Sequence, residues 1–393
     1  MKRKIKKGTK VAFIITGSFL VFVMVLSSFV VFSPIPVIWI ISEFVFAQPK
    51  NGSWNDRTSI NGLNVTVSEE LIYDSNAKAN TLSTFNIIYP NNCTEELSVI
   101  FFAHGGGYIS GDKEENENYM IRLANEGYVI FNMNYSLAPS FNYPSPLIQF
   151  GKFYKHIFEN ESKYESLFDI RINLDSLFLG GDSAGANLVS IFSLCNTTPG
   201  FIENSKFLNE HKNDILVSVF APKGVILFCG VFDWVQFKKT SGFIRFVVDR
   251  IARGITGFWS WESSGMIEEM SLFFEGEEGL TTKLTSSFPA VYVTDGDDEL
   301  SFTDQGETLA ELLRNLGVSV TQRFYRGLTH EFQFMLGNVE NDNKLNEDER
   351  SRVDNCIKAA KEVYDDVVHF LAEKNNSENN SYTNWGYACG AIS

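Results

Sequence analysis

The sequence predicts an α/β chain, a mostly parallel central sheet flanked by helices. Short apolar runs that read as buried strands alternate with helix-like runs from Leu82 onward, as a parallel sheet requires. Two glycine-rich motifs, His104-Gly105-Gly106-Gly107 and Gly181-Asp182-Ser183-Ala184-Gly185, each follow such a run directly. About 345 residues lie beyond an apolar N-terminal segment, a length that suits one large domain with insertions better than two equal ones.

In chain order, Met1–Lys10 carries six basic residues and no acid, and Val11–Ser42 then runs without a charge. About 20 apolar residues suffice to cross a bilayer, so residues 1–10 are expected to be a cytosolic tail and 11–32 an uncleaved transmembrane signal anchor. The rival, a secretory signal peptide cut after Val45-Phe46-Ala47, fits less well because its apolar core is usually ~7–15 residues. Residues 33–81 read as a membrane-proximal or cap segment. The positive-inside rule places everything after the anchor on the non-cytosolic side, lumenal or extracellular, as a single-pass type II protein.

The domain is expected over 82–372. Leu97–Phe102 reads as a buried strand and delivers His104-Gly105-Gly106-Gly107. Successive glycines let backbone N–H groups approach a ligand closely, the natural use being an oxyanion hole completed by the N–H of Ala184. Ser176–Leu179 reads as the next decisive strand and Ala184–Leu194 as the helix after it. Between them Gly181, Ser183 and Gly185 form a G-x-S-x-G turn, which presents a serine Oγ above a helix N-terminus. Residues 196–214 read as a polar loop. The aromatic-rich stretch 233–287 reads as a cap insertion, some of whose side chains line an apolar acyl or alcohol site.

Ala290–Thr294 reads as a strand, followed by a loop holding Asp295, Asp297, Asp298 and Glu299. An acid here would orient a histidine base, but spacing does not choose among the four. Of the five histidines, His330 and His369 lie beyond Ser183 with acids between. His369 falls in the amphipathic run Ile357–Leu371, whereas His330 follows the strand-like Val318–Tyr325 on a short turn. His330 is therefore the expected base. Residues 340–350 read as a charged loop and 373–393 as a tail, disordered over 373–384.

These motifs together resemble the hormone-sensitive lipase family of α/β-hydrolases over roughly Leu82 to Leu371. The resemblance rests on Phe102-Ala103-His104-Gly105-Gly106-Gly107-Tyr108, Asn134-Tyr135-Ser136-Leu137-Ala138-Pro139, Gly181-Asp182-Ser183-Ala184-Gly185, Asp298-Glu299-Leu300 and His330-Glu331-Phe332. It implies a helical cap, a triad of Ser183, Asp298 and His330, and oxyanion donors at Gly106, Gly107 and Ala184. His104, Gly105 and Asp182 would support the motifs, with His104 shaping the loop. Where the family has Asp-Tyr-Arg-Leu-Ala-Pro, this chain has Asn134 and Ser136. Where it has His-Gly-Phe, Glu331 puts a carboxylate beside the base. Ser301-Phe302-Thr303 lengthens the acid loop.

The implied activity is hydrolysis of short-chain, acetyl-like esters of hydrophobic alcohols through an acyl-enzyme. Anchor plus domain resembles the arylacetamide deacetylase and steryl-acetate hydrolase group, which suits a lipophilic small-molecule substrate. An amidase or peptidase using the same residues is the runner-up. A catalytically silent small-molecule receptor is the reading from another class, disfavoured because serine, acid and histidine are all retained. No cofactor or metal is expected, since the five cysteines show no C-x-x-C spacing. The net charge of −15 argues against nucleic acid as a partner. Eight N-x-S/T sequons would suit a glycosylated domain, although Asn134 sits in a core motif and is not expected to carry a glycan.

Overall fold

The computed structural model describes residues 38, 60, 62–77, 81–296, 302–336 and 347–376. The first strands of the described residues are β1 (Val65–Val67), β2 (Leu71–Ile72) and β3 (Thr84–Pro90), and then comes β4 (Glu96–Ala103). Helix α1 (Glu117–Asn125) leads to β5 (Tyr128–Met133), and α2 (Ser145–Phe168) leads to β6 (Arg171–Asp182). Helix α3 (Ala184–Thr197) precedes β7 (Gly224–Phe228). Then come α4 (Gly242–Thr256), the strands β8 (Phe273–Gly276) and β9 (Gly279–Thr282), and β10 (Val291–Asp295). Helix α5 (Phe302–Asn315), β11 (Val320–Phe324) and α6 (Glu347–Asn376) complete the order.

Among the described residues one nine-stranded sheet runs β1-β3-β5-β4-β6-β7-β10-β11, with β2 paired to β3. The pairs from β5 through β11 are parallel, and only the β1, β2 and β3 pairings are antiparallel. Side chains alternate across a strand, and here both faces are buried. On β4, Val99, Phe101 and Ala103 enter one core while Ile100 and Phe102 enter the other. On β7, Val225 and Leu227 face the first core, Ile226 and Phe228 the second. This two-sided burial is why the strands read as continuous apolar runs instead of alternating ones. Helices α2 and α3 cover one face through Phe150, Phe153, Leu188 and Phe192. Helices α1 and α6 cover the other through Tyr119, Leu123, Val363 and Val367.

Several expectations need correction. The stretch 196–214 is not a loop: it holds the short helices Phe201–Asn204 and Lys212–Ile215, pinned by buried Ile202, Leu208 and Ile215. Each is four residues long, about one turn, too short to show a periodicity. The insertion 233–287 contains α4 and also an antiparallel hairpin, β8 with β9, closed around Glu277 and Glu278 between Gly276 and Gly279. Phe302 opens α5 and so does not extend the acid loop, and α6 begins at Glu347 and continues to Asn376, into the segments read as loop and tail. No described helix is long and apolar enough to cross a membrane. The expected anchor, 11–32, lies outside the described residues, and so does most of 33–81. Ile38 is described, and it is buried, with its Cδ1 2.2 Å from where a Cβ on Gly254 of α4 would stand.

Cys93 is disulfide-bonded, while Cys195, Cys229 and Cys356 are buried free thiols. Of the sequons, Asn64 and Asn92 are exposed, and Asn134 is buried and hydrogen-bonded to Asp112 and the Lys113 N–H.

Candidate active site

β6 ends at Asp182 and α3 begins at Ala184, so Ser183 alone makes the strand-to-helix turn. Its φ of 51° and ψ of −115° lie where a non-glycine residue is strained. The surroundings hold it there. Its N–H donates to Phe228 O at 2.8 Å, tying the turn to the end of β7. A Cβ on Gly181 would lie 2.5 Å from the Gly185 carbonyl, and one on Gly185 2.1 Å from Ala103 O. Only glycine fits at either position, and the second contact presses the turn against the end of β4.

There the His104-Gly105-Gly106-Gly107 loop begins. Gly106 (φ 93°) and Gly107 (φ 60°) adopt left-handed backbone, and Gly106 O accepts from the N–H groups of Ile109 and Ser110. A Cβ on Gly106 would stand 2.2 Å from Ser110 O. His104 is fully buried, stacks on Tyr135 at 4.3 Å and donates from Nδ1 to Gly105 O at 2.8 Å. Burial lowers its pKa to about 4, so the ring is neutral. Tyr135 Oη donates to His104 O and Gly105 O. Tyr135 is a support that the sequence reading passed over, although it sits inside a motif already singled out. Trp234 at the start of the insertion packs near Tyr108, ring centroids 6.1 Å apart.

His330 lies beyond β11, on a loop fastened to the end of β10. Tyr325 N–H donates to Asp295 O and Leu328 N–H to Gly296 O. The fastening places His330 Nε2 3.1 Å from Ser183 Oγ, within hydrogen-bond reach. Among the four candidate acids, Asp297, Asp298 and Glu299 lie outside the described residues. Asp295 is buried at the end of β10, and its Oδ1 accepts from Gly296 N–H at 2.6 Å. His369 is exposed on α6.

Asp182 is buried, and its Oδ1 accepts from Asn116 Nδ2 at 2.7 Å. Burial, and after it the charge of Glu331, hold its carboxyl well above the usual carboxylate range. Among the described residues no group of histidine, cysteine and acidic side chains could hold a metal. Two surface cavities, about 570 Å³ beside Tyr154 and Val217 and about 390 Å³ beside Phe201 and Lys283, are lined by no residue of this site.

The alpha/beta hydrolase fold family matches residues 100–334, which include both glycine motifs, Ser183 and His330. The chain belongs to that family. An alpha/beta hydrolase of Acanthamoeba polyphaga mimivirus is 24% identical over 131 residues, 33% of this chain and 34% of that protein. The acetyl esterase of Salmonella schwarzengrund is 27% identical over 92 residues, 23% of this chain and 27% of its own length. The chain thus spans about a third or less of the length of these curated relatives. Among solved structures, a bacterial heroin esterase superposes with a TM-score of 0.56 at 17% identity, over 80% of this chain and 88% of that one. An esterase of the bacterial hormone-sensitive lipase family superposes at 0.53 and 17%, over 87% and 97%. At these identities the superpositions speak for the alpha/beta hydrolase fold and no further.

Proposed function

We propose that this alpha/beta hydrolase is a serine carboxylic ester hydrolase of the hormone-sensitive lipase type. The observation that carries the reading is Ser183 Oγ at 3.1 Å from His330 Nε2, on a strained turn at the head of α3. His330 takes the Ser183 proton as Oγ attacks an acyl carbonyl. The tetrahedral oxyanion is received by the N–H groups of Gly106, Gly107 and Ala184. Protonated His330 then gives its proton to the leaving alcohol, and water releases the acid from the acyl-enzyme. Asp298 is the proposed orienting acid. One oxyanion donor is worth about 10²–10³ in kcat. The relative named as an acetyl esterase supports a short acyl group.

We place the domain beyond a membrane, held by residues 11–32. Support comes from the uncharged N-terminal run, from Ile38 packing against Gly254, and from the Cys93 disulfide, which suits an oxidising compartment. Glycans at the exposed Asn64 and Asn92 belong to the same proposal. The test is hydrolysis of p-nitrophenyl acetate, butyrate and decanoate by the full chain in detergent, beside Ser183→Ala. Turnover lost in the variant supports the reading and sizes the acyl site. A folded chain without turnover on any of the three overturns it.

A further inference from the structure

Two acids of the site are not used by that chemistry, and they touch each other. Asp182 Oδ2 and Glu331 Oε1 converge over Gly105, where a Cβ would meet them at 2.2 and 2.9 Å. The two carboxyl groups are hydrogen-bonded. Two carboxylates have only acceptors, and like charges this close do not both ionise. One proton must therefore lie between them. Asp182 is the more deeply buried partner and is displaced upward first by that burial, so the proton sits on Asp182. Glu331 Oε1 in turn lies 4.0 Å from His330 Nε2, the nitrogen that faces Ser183. Glu331 also occupies left-handed backbone (φ 61°, ψ 25°), where glycine would sit without strain.

We propose that Glu331, oriented by a proton-sharing hydrogen bond from Asp182, is a positioning residue whose carboxylate stabilises the His330 imidazolium formed when Ser183 gives up its proton. The proposal rests on the reading of His330 as the base. Proton balance is simple: one proton moves from Ser183 Oγ to His330 Nε2, and the proton between Asp182 and Glu331 stays where it is. The other titratable groups facing the pair are Glu115 from the turn Lys113–Asn116, Tyr135 beyond β5 and Cys229 at the end of β7; Asp295 at the end of β10 faces Cys229. Burial pushes the Tyr135 hydroxyl and the Cys229 thiol up, so both are neutral. Glu115 adds to the negative potential on Asp182 and reinforces its protonation.

The experiment is the pH dependence of Ser183 labelling by a fluorophosphonate in the full chain, whose acid limb reports the base of the free enzyme. A neighbouring carboxylate raises an imidazole pKa, so Glu331→Gln is expected to move the limb down by about one pH unit and slow the plateau about tenfold. Asp182→Asn still donates to Glu331 and leaves its charge in place, so its limb stays where the wild type has it. Glu331→Gly removes charge and strain together. It is expected to melt no lower than the wild type yet share the Gln variant's shift, which separates charge from folding. A wild-type limb in both Glu331 variants overturns the proposal, as does an equal shift in Asp182→Asn. NMR titration of His330 in the same variants reads the same shift without any labelling. A chain that resists the probe but whose His330 shifts as stated would fail as a hydrolase while sustaining this pairing.

Discussion

The floor of the site and the insertion 233–287, expected to form a cap, use glycine in opposite ways. In the floor, Cβ atoms added at Gly181 and Gly185 would meet backbone at 2.5 and 2.1 Å, and at Gly105 the Asp182 carboxyl at 2.2 Å. In the insertion, Gly242, Gly265 and Gly279 have open space around them, and their need for glycine comes only from φ values of 61°, 82° and 108°. The floor is thus backbone packed on backbone, with no slack, while the cap is side chains packed on side chains. Polar chemistry that tolerates no displacement sits on the first. Apolar surface that can vary sits on the second: Phe243, Ile244, Phe246, Phe258 and Trp259 are all exposed there.

Ser183→Ala should give the largest effect, a loss on the order of 10⁶ in kcat if the residues act as a unit, with the melting temperature little changed. Retained turnover would remove the floor from the chemistry altogether. Next comes the glycine contrast itself. Gly185→Ala drives a Cβ into Ala103 O, which neither β4 nor α3 can move to accommodate. It is expected to destabilise by about 3 kcal/mol or more, and about 1 Å of displacement of Ser183 would cost about 10²-fold in kcat. Gly265→Ala pays only for left-handed backbone, about 1–2 kcal/mol, with kcat unchanged. Denaturant unfolding and turnover of both variants break the comparison if the two substitutions cost alike.

This difference also explains what could be read in advance. The strands, the turn at Ser183 and the glycine loop were legible because steric prohibition is written into sequence as glycine, and two-sided burial as uninterrupted apolar runs. That His330 would stand beside Ser183 was legible from chain order and from the strand before it. The acid was named as Asp298 by resemblance alone, because Asp295, Asp297, Asp298 and Glu299 follow one another closely and spacing carries no orientation, and Asp298 lies outside the described residues. The carboxylate of Glu331 beside the base was visible as a departure. Its partner was not, since Asp182 reaches it only once β6 and the loop after β11 meet at the sheet's end. The β8–β9 hairpin escaped because Glu275-Gly276-Glu277-Glu278-Gly279 interrupts a stretch that looked helical and aromatic.

Within the floor, buried titratable groups should tie stability to pH. His104 has its pKa lowered to about 4 by burial, against about 6.5 unfolded. Above pH 6.5 both states are neutral and nothing is lost. As pH falls from 6.5 toward 4 the unfolded chain takes up a proton that the folded chain refuses, and about 3 kcal/mol of stability is lost. Asp182 runs the other way: its raised carboxyl favours the folded state at low pH and loses that advantage as pH rises. The wild-type curve sums both, so the useful measurement is a difference. In His104→Gln the denaturation free energy should be lower at pH 7, where the stack on Tyr135 is gone, and should fall less steeply than the wild type between pH 6.5 and 4. Parallel slopes would mean that His104 is protonated in the folded chain.

The smallest effect is expected on the cap, and it is the one that tests whether the cap has a task besides covering the site. Phe243, 79% exposed, and Ile244 project from α4, the helix that Ile38 packs against through Gly254. If residues 11–32 cross a bilayer, Ile38 brings this face close to it. Phe243→Ser with Ile244→Ser removes side chains that the fold does not bury, so stability should stay within about 0.5 kcal/mol. Turnover of p-nitrophenyl acetate in solution should also be unchanged. Hydrolysis of a long-chain ester dissolved in vesicles that carry the full chain should fall a few-fold. On that condition the anchor would still hold the chain at the membrane, and only the orientation of this face toward it would be lost. Equal losses on both substrates would instead put these side chains in the substrate path. No loss on either would leave α4 without a role at the bilayer and return its exposed aromatics to incidental surface.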